Sequence, residues 1–320
     1  MLLWIIFIVL ICFFLALDLG VFNKNPHIVT TREAFGWTAL WVSISLLFSI
    51  VVYYAYELNW VSGDLSGSKA VLLYLSGYLV EQSLSMDNIF VIAIIFSYFQ
   101  VPKQYQHRVL FWGILGALVF RGLMIALGAA LIHQFAWVIY VFGLFLLYSA
   151  YKMLTVGEAV HPSQNPTIKF IRRFFAVSTT YEGEKFFVRK RGLLVATPLF
   201  VALMVVETTD ILFAFDSIPA IFGITTDSFL VFTSNIFAIM GLRSLYFVLA
   251  SVLDKFQYLK YSLVAILFFV GIKMMLHEVW KPEEWLSLVV IFVSLAVGVV
   301  VSLIKAKDLP VPVVEDSPMD

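Results

Sequence analysis

Nine stretches of the chain are long and apolar enough to cross a lipid bilayer as helices. A spanning helix needs about 20 apolar residues, because its backbone polar groups must be satisfied within the segment itself. We therefore predict an all-α polytopic membrane helix bundle that forms a single transmembrane domain over residues 1–305. The predicted spans lie near residues 2–22, 34–56, 70–97, 108–131, 134–154, 197–224, 228–251, 260–279 and 285–304.

Composition supports lipid as the solvent of this chain. Hydrophobic residues make up 62% of the sequence and charged residues 13%, whereas soluble domains average about 45–50% and about 25%. The formal net charge is zero, which gives no reason to expect nucleic acid as a partner. The single cysteine, Cys12, excludes an internal disulfide or a Cys-x-x-Cys redox pair. No phosphate loop or catalytic triad pattern is present, so we predict that the protein is not an enzyme.

The basic residues predict how the chain is oriented. The segment 155–192 is basic, and basic loops stay in the cytoplasm. Counting spans outwards from this loop places the N-terminus outside and the C-terminus in the cytoplasm of a bacterial inner (plasma) membrane. We expect the loop to be solvated or to lie on the membrane surface, and the tail 306–320, rich in proline and acids, to be disordered.

Three charged residues recur in the same order in two parts of the chain. The spacing from Asp87 to Arg121 and on to Lys152 is 34 and 31 residues, and that from Asp210 to Arg243 and Lys273 is 33 and 30. Each copy, over about 70–154 and 197–279, holds three predicted spans, so the second copy should be inverted relative to the first. Inverted repeats place a binding site near the membrane midplane. A transporter explains this pattern, and so does an old duplication kept only for packing.

Acidic residues inside the third and sixth predicted spans are the strongest functional signal. An acid at the centre of a spanning helix costs about 2.5–3.5 kcal/mol, so these residues should face the bundle interior and hold something. Both spans are long, and Pro219 lies in the sixth, which predicts broken helices around a central site. The intramembrane polar set is Glu81, Asp87, Asn88, Glu207, Asp210, Asp216 and Asn235.

An oxygen-rich set of this kind suits a hard divalent cation such as Mn²⁺, Mg²⁺ or Ca²⁺. All five histidines fall in predicted loops or at span ends, which argues against Zn²⁺ or Cu⁺. The cations available to balance the acids are Arg121, Arg243 and Lys273. Three cations leave five acids with an excess of two negative charges, which one divalent cation or two protons would neutralise. Buried ion pairs with a purely structural role are the alternative.

The chain resembles the TerC family of bacterial membrane proteins, and most of all its Alx-type members. The resemblance runs over roughly residues 1–305 and implies manganese export from the cytoplasm. The family is also associated with tellurite resistance and with a redox-modulator role. The most specific matches lie at residues 77–88, 186–190, 207–222 and 233–243.

Together these patterns predict a secondary transporter that exports Mn²⁺, or a similar hard divalent cation, in exchange for protons. Asp87 and Asp210 are the predicted central ligands, related by the repeat, and no tightly bound cofactor is expected. The expected partners are the divalent cation, protons and the lipid bilayer, whereas protein partners cannot be read from the sequence. The alternative is a membrane scaffold or modulator in tellurite resistance or redox stress that transports nothing.

The orientation is tested with topology reporters at two positions. A reporter or cysteine label at Gln164 should report the cytoplasm, and one at Ser66 should report the outside, because an odd number of predicted spans separates them. Labelling of both positions from the same side would contradict the inverted arrangement.

Overall fold

The computed structural model describes residues 2–17, 29–61, 65–155, 167–168, 171, 173, 175–190, 192–250, 259–279 and 282–305. Gln164, the rest of residues 156–166 and the tail 306–320 lie outside these residues. The described residues form nine helices and a small sheet, and the predicted membrane helix bundle is confirmed. The helices are α1 (Leu2–Leu17), α2 (Thr31–Glu57), α3 (Gly67–Phe99), α4 (Lys103–Gln134), α5 (Val138–Thr155), α6 (Pro198–Phe222), α7 (Ser228–Ala250), α8 (Leu259–Met275) and α9 (Glu284–Lys305).

Seven of the described helices are long and apolar enough to cross a membrane, and α1 and α8 are shorter, at 16 and 17 residues. The bundle surface is apolar: Phe292 and Val293 of α9 and Leu47 of α2 are half or more exposed. Lipid is the solvent that such a surface fits. α7 is the most enclosed helix, with nearly all of its side chains buried between its neighbours.

The prediction of broken helices is wrong. α3 runs without interruption over 33 residues, and α6 over 25 residues with Pro219 inside it. Pro219 lies in the last turn of α6, where the helix ends at Phe222, so it removes a backbone bond without dividing the helix. The length of α3 has another explanation, since at about 1.5 Å per residue it measures about 50 Å and outruns the hydrocarbon core or tilts across it.

The two halves of the bundle pack reciprocally. α3 packs against α7, α4 packs against α6, and the third helices of the two halves, α5 and α8, pack against each other. A two-fold axis between two three-helix units would produce these pairings. The inverted repeat itself stays a prediction.

The prediction of a solvated or surface loop at 155–192 missed a small sheet with strand order β1-β3-β2, of which two strands lie in this segment and one follows it. β2 (Phe187–Lys190) pairs antiparallel with β3 (Leu193–Ala196), and β1 (Ala176–Val177) pairs parallel with β3. Gly192 at the tight connection has a φ of +80°, which glycine adopts without strain.

The sheet region is attached to the ends of α3 and α4. Arg108 of α4 forms an ion pair with Glu184 at 2.8 Å, and the Tyr181 hydroxyl donates to the carbonyl of Phe99 at 2.7 Å. Burial raises the pKa of Tyr181 to about 12, so this hydroxyl keeps its proton at neutral pH. The region between the two halves is therefore anchored to the first half.

The close approach of α5 to α8 depends on Gly143. A Cβ at Gly143 would lie 2.9 Å from the Cβ of Met274 and 3.2 Å from the carbonyl oxygen of Gly271, atoms that move only with the helix. Gly143→Ala should therefore lower the free energy of unfolding by about 1–3 kcal/mol. Thermal unfolding in detergent measures this loss of stability. The control is Gly36→Ala on α2, since nothing lies within 4 Å of the methyl group added there. Equal unfolding temperatures for the two variants would contradict the tight packing.

Candidate functional site

A fully buried guanidinium joins the two halves of the bundle. Arg121 of α4 is 1% exposed, and its Nη1 donates to Glu81 Oε1 of α3 in an ion pair. Its Nη2 donates to Asp210 Oδ1 of α6 at 3.1 Å, and its Nε lies 3.4 Å from Asp210 Oδ2. Nη1 also lies 3.3 Å from the hydroxyl of Ser217. One cation thus bridges an acid of its own half and an acid of the other.

Two asparagines complete this network. Asn235 of α7 is fully buried and donates through Nδ2 to Glu81 Oε2 at 2.9 Å, so a residue of the second half again holds an acid of the first. Asn88 of α3 lies 3.4 Å from Asp210 Oδ1. With the amide atoms of Asn88 exchanged, its oxygen accepts from Arg121 Nη2 at 3.2 Å and its nitrogen donates to the Leu84 carbonyl. Either orientation keeps Asn88 in contact with the network.

The remaining acids of the central region are Asp87 and Glu207. Asp87 of α3 is buried, as is Arg243, which the predicted repeat pairs with Arg121. The Glu207 carboxylate lies against Gly116 of α4, so closely that a Cβ at Gly116 would overlap it. Within the described part of the chain, Glu207 Oε2 and Asn235 Oδ1 are buried oxygens without a hydrogen-bond partner. Two acceptors near the network are therefore open to a donor or a cation.

Asp216 and Lys273 lie away from the Arg121 network. Asp216 accepts a hydrogen bond from Ser149 of α5 at 2.6 Å and interacts electrostatically with Lys152. It is six residues beyond Asp210 on an unbroken helix, so it faces α5 instead of α3 and α4. Lys273 donates to Ser287 of α9 at 3.2 Å. The predicted site residues thus divide between a central cluster and two separate contacts.

A small cavity of about 20 Å³ lies beside the network. A cavity of about 10–15 Å³ is enough for one water molecule, so this one is sized for a water or a small ion. Its polar lining is Asn88, Thr209, Asp210 and Arg243, and its other walls are apolar side chains of α3, α4, α6 and α7.

A much larger cavity, of about 730 Å³, opens where the C-terminal ends of α4, α6 and α8 meet the first turns of α7 and α9. It holds charged groups of both signs. The ionisable residues that line it are His133, Asp227, Lys273, His277 and Glu284.

An apolar layer separates this large cavity from the Arg121 network. Phe222 lines the cavity, and Ser217, which contacts Arg121, lies five residues earlier on α6, a rise of about 7.5 Å. A Cβ at Gly128 would lie 2.6 Å from the Phe222 ring, so the ring packs directly on the backbone of α4. The buried members of the layer are Ile125, Ala129, Ala214, Ile218, Ile221, Phe222 and Val231.

The cluster is arranged around arginine and not as a metal cage. Among the described residues, no group of three or more His, Cys, Asp or Glu side chains is placed to hold a metal ion. Sequence reasoning missed Ser217 and Ser149, which contact Arg121 and Asp216. Ser217 follows the predicted site residue Asp216 in the sequence, and Ser149 lies on the neighbouring helix α5. Serine is common on spanning helices, so neither residue gave a separate signal in the sequence.

The comparisons with known proteins confirm the family that the sequence motifs suggested. The model of the integral membrane protein TerC family matches residues 66–309. The uncharacterized membrane protein STKORF319 of Myxococcus xanthus is 47% identical over 309 residues, which cover 96% of this chain and 94% of the relative.

Two other relatives are named "Putative membrane-bound redox modulator Alx". The one from Escherichia coli (strain K12) is 44% identical over 91% of both chains, and the one from Salmonella typhi is 43% identical over 94% of both. No solved structure matches the chain. The chain belongs to the TerC family of integral membrane proteins.

Proposed function

We propose that this protein is a secondary transporter that exports Mn²⁺, or a similar hard divalent cation, from the cytoplasm in exchange for protons. The observation that carries the proposal is the central cluster, in which Glu81 and Asn88 of the first half meet Asp210 and Asn235 of the second around one buried cation. Carboxylate and amide oxygens are ligands that hard cations prefer.

The charges of the central region support a divalent cargo. The central region contains two guanidiniums, those of Arg121 and Arg243, and four acids, Glu81, Asp87, Glu207 and Asp210. Asp216 and Lys273 are excluded from this balance, since each has its own contacts elsewhere. When all four acids ionise, the excess is two negative charges, which one divalent cation or two protons would neutralise. A buried excess of this size is costly unless something binds to it.

The two cavities suggest the route. In the orientation that the basic residues predict, the large cavity lies at the outer face, and the small one borders Asp210 at the cluster. The apolar layer at Phe222 would then close the cluster towards the outside. Release requires this layer to open, and a metal bound at the cluster would leave through the large cavity. Alternating access of this kind is the usual mode of transporters built from two halves.

A second candidate function is that of a non-transporting modulator of redox stress or tellurite resistance. The name of the Alx relatives, which calls them redox modulators, favours the redox role. The one cysteine of this chain, Cys12, is exposed and lies outside the cluster, so thiol exchange would need a thiol or disulfide from another molecule. Efflux from liposomes that contain only the purified protein separates the two candidates.

The central acids are tested by Asp87→Asn and Asp210→Asn, alone and together. Asparagine keeps the size of each side chain but removes the charge that offsets the desolvation of a divalent cation. We expect the double variant to lose at least about 90% of Mn²⁺ efflux from loaded liposomes, because a missing charged ligand costs several kcal/mol at a buried site.

The matched control for this pair is Glu283→Gln, which removes an acid that is exposed outside the cluster. It should transport like the unchanged protein. Size-exclusion profiles in detergent check that each variant is folded. Normal efflux by the folded double variant would eliminate the cluster as the transport site.

Metal binding should depend on pH because protons and metal compete for the same carboxylates. A metal that binds must displace any proton held by its ligands, so affinity rises with pH as long as those ligands are partly protonated. We expect the Mn²⁺ affinity of the purified protein to rise between about pH 6 and about pH 8, and an inward proton gradient to accelerate efflux. Equilibrium binding with Mg²⁺ and Ca²⁺ as competitors measures the first effect. An affinity that does not change with pH would argue against shared carboxylates.

A further inference from the structure

We propose that Arg121 is a tethered cation that occupies the transport site in place of the cargo, and that the cargo must displace it in order to bind. This inference rests on the proposed cation transport. It assigns Arg121 a role in selecting the cargo, beyond balancing charge.

The geometry places the guanidinium where a cation ligated by both halves would lie. Arg121 Nη1 contacts Glu81, and its Nη2 and Nε face the two oxygens of Asp210 at 3.1 and 3.4 Å. These carboxylates come from α3 and α6, which belong to opposite halves of the bundle. A metal that bridged Glu81 and Asp210 would need the same oxygen atoms. Arginine and metal are therefore alternatives for one position.

Because it is buried, Arg121 has a large electrostatic effect on the acids around it. Arg121 is 1% exposed and Glu81 is fully buried, so the charges lack water to screen them. An isolated buried carboxylate is strongly unfavourable, and removing one member of a buried ion pair is costly for the same reason. After a cargo ion leaves, the return of Arg121 would neutralise the acids that the ion had held. The arginine therefore lowers the free energy of the state in which the transporter holds no cargo.

The position has room for an exchange. The small cavity borders Asp210 on the side lined by Gly113 and Ala117, the residues of α4 that precede Arg121 by two turns and by one turn. Ser217 also offers the guanidinium a further acceptor, 3.3 Å from Nη1. An ion that entered the small cavity would approach Asp210 from a side that the arginine leaves open. The arginine would then keep a polar contact while it released the carboxylate.

The need to displace Arg121 would favour divalent cations over monovalent ones. A monovalent cation brings no more charge than the guanidinium and lacks its hydrogen-bond donors, so it cannot compete well for the two carboxylates. A divalent cation brings twice the charge and can displace the arginine. The arginine also reduces the apparent affinity for the cargo, in proportion to the fraction of molecules in which the site is vacated. A site of this kind would release its cargo readily and reject Na⁺ and K⁺.

The test is Arg121→Gln, measured by equilibrium Mn²⁺ binding and by efflux from liposomes. If Arg121 holds the site in about nine of ten molecules, its removal should raise the apparent Mn²⁺ affinity about tenfold. Maximal efflux should fall, because release slows, and Na⁺ should become an effective competitor of Mn²⁺ binding. The matched control is Arg108→Gln, the same change on the same helix at an arginine that pairs with Glu184 far from the cluster. It should leave affinity and Na⁺ competition unchanged.

Arg121→Lys covers the case in which the glutamine variant does not fold. Lysine keeps the charge but cannot hold both carboxylates with a planar fork, so Mn²⁺ affinity should rise by a smaller factor. Unchanged or weaker Mn²⁺ binding by a folded Arg121 variant would overturn the inference, because a purely structural arginine gives that result. Failure of the unchanged protein to bind any divalent cation would instead overturn the proposed function.

Discussion

The buried guanidinium of Arg121 is the constraint on which the centre of this protein depends. A cation in the middle of a membrane bundle is tolerated only when acids surround it, and Glu81 and Asp210 do so from opposite halves. This requirement fixes how closely α3, α4 and α6 approach one another. A second close contact between α4 and α6 is made at Gly116, whose lack of a side chain leaves room for the Glu207 carboxylate.

Lipid as the solvent determines the rest of the bundle. Because the outer surface needs no polar residues, large apolar side chains such as Leu212 and Phe215 of α6 lie exposed on the same helix as Asp210. The acids of α6 that make hydrogen bonds then lie on its inner faces, where their partners are. One unbroken helix can therefore present Asp210 to α3 and α4 and Asp216 to α5. The spacing of the acids along the helix decides which neighbour each of them meets.

The sequence was sufficient to predict features that follow from the free-energy cost of burying polar groups in a membrane. It was insufficient to predict the direction in which individual side chains point from their helices. Apolar runs predicted the helices, and the cost of burying acids correctly indicated that Glu81 and Asp210 need partners, which Arg121 provides. The sequence did not reveal that Pro219 lies too near the end of α6 to divide it, or that Lys273 faces Ser287. Helical direction could have separated Asp216 from Asp210, since six residues turn a side chain by about 240°. The sheet was missed because its strands have two to four residues, and a period of two is hardly visible over so short a length.

The arrangement of charges also bears on whether the cluster is only structural. A structural ion pair is most favourable when every member is satisfied, since an unpaired buried polar atom weakens the network that contains it. Here Glu207 Oε2 and Asn235 Oδ1, both acceptors in the central region, lack hydrogen-bond donors among the described residues. Carboxyl and amide oxygens that lack donors, on residues beside the Arg121 network, are what a site that alternates between an internal and an external cation would need.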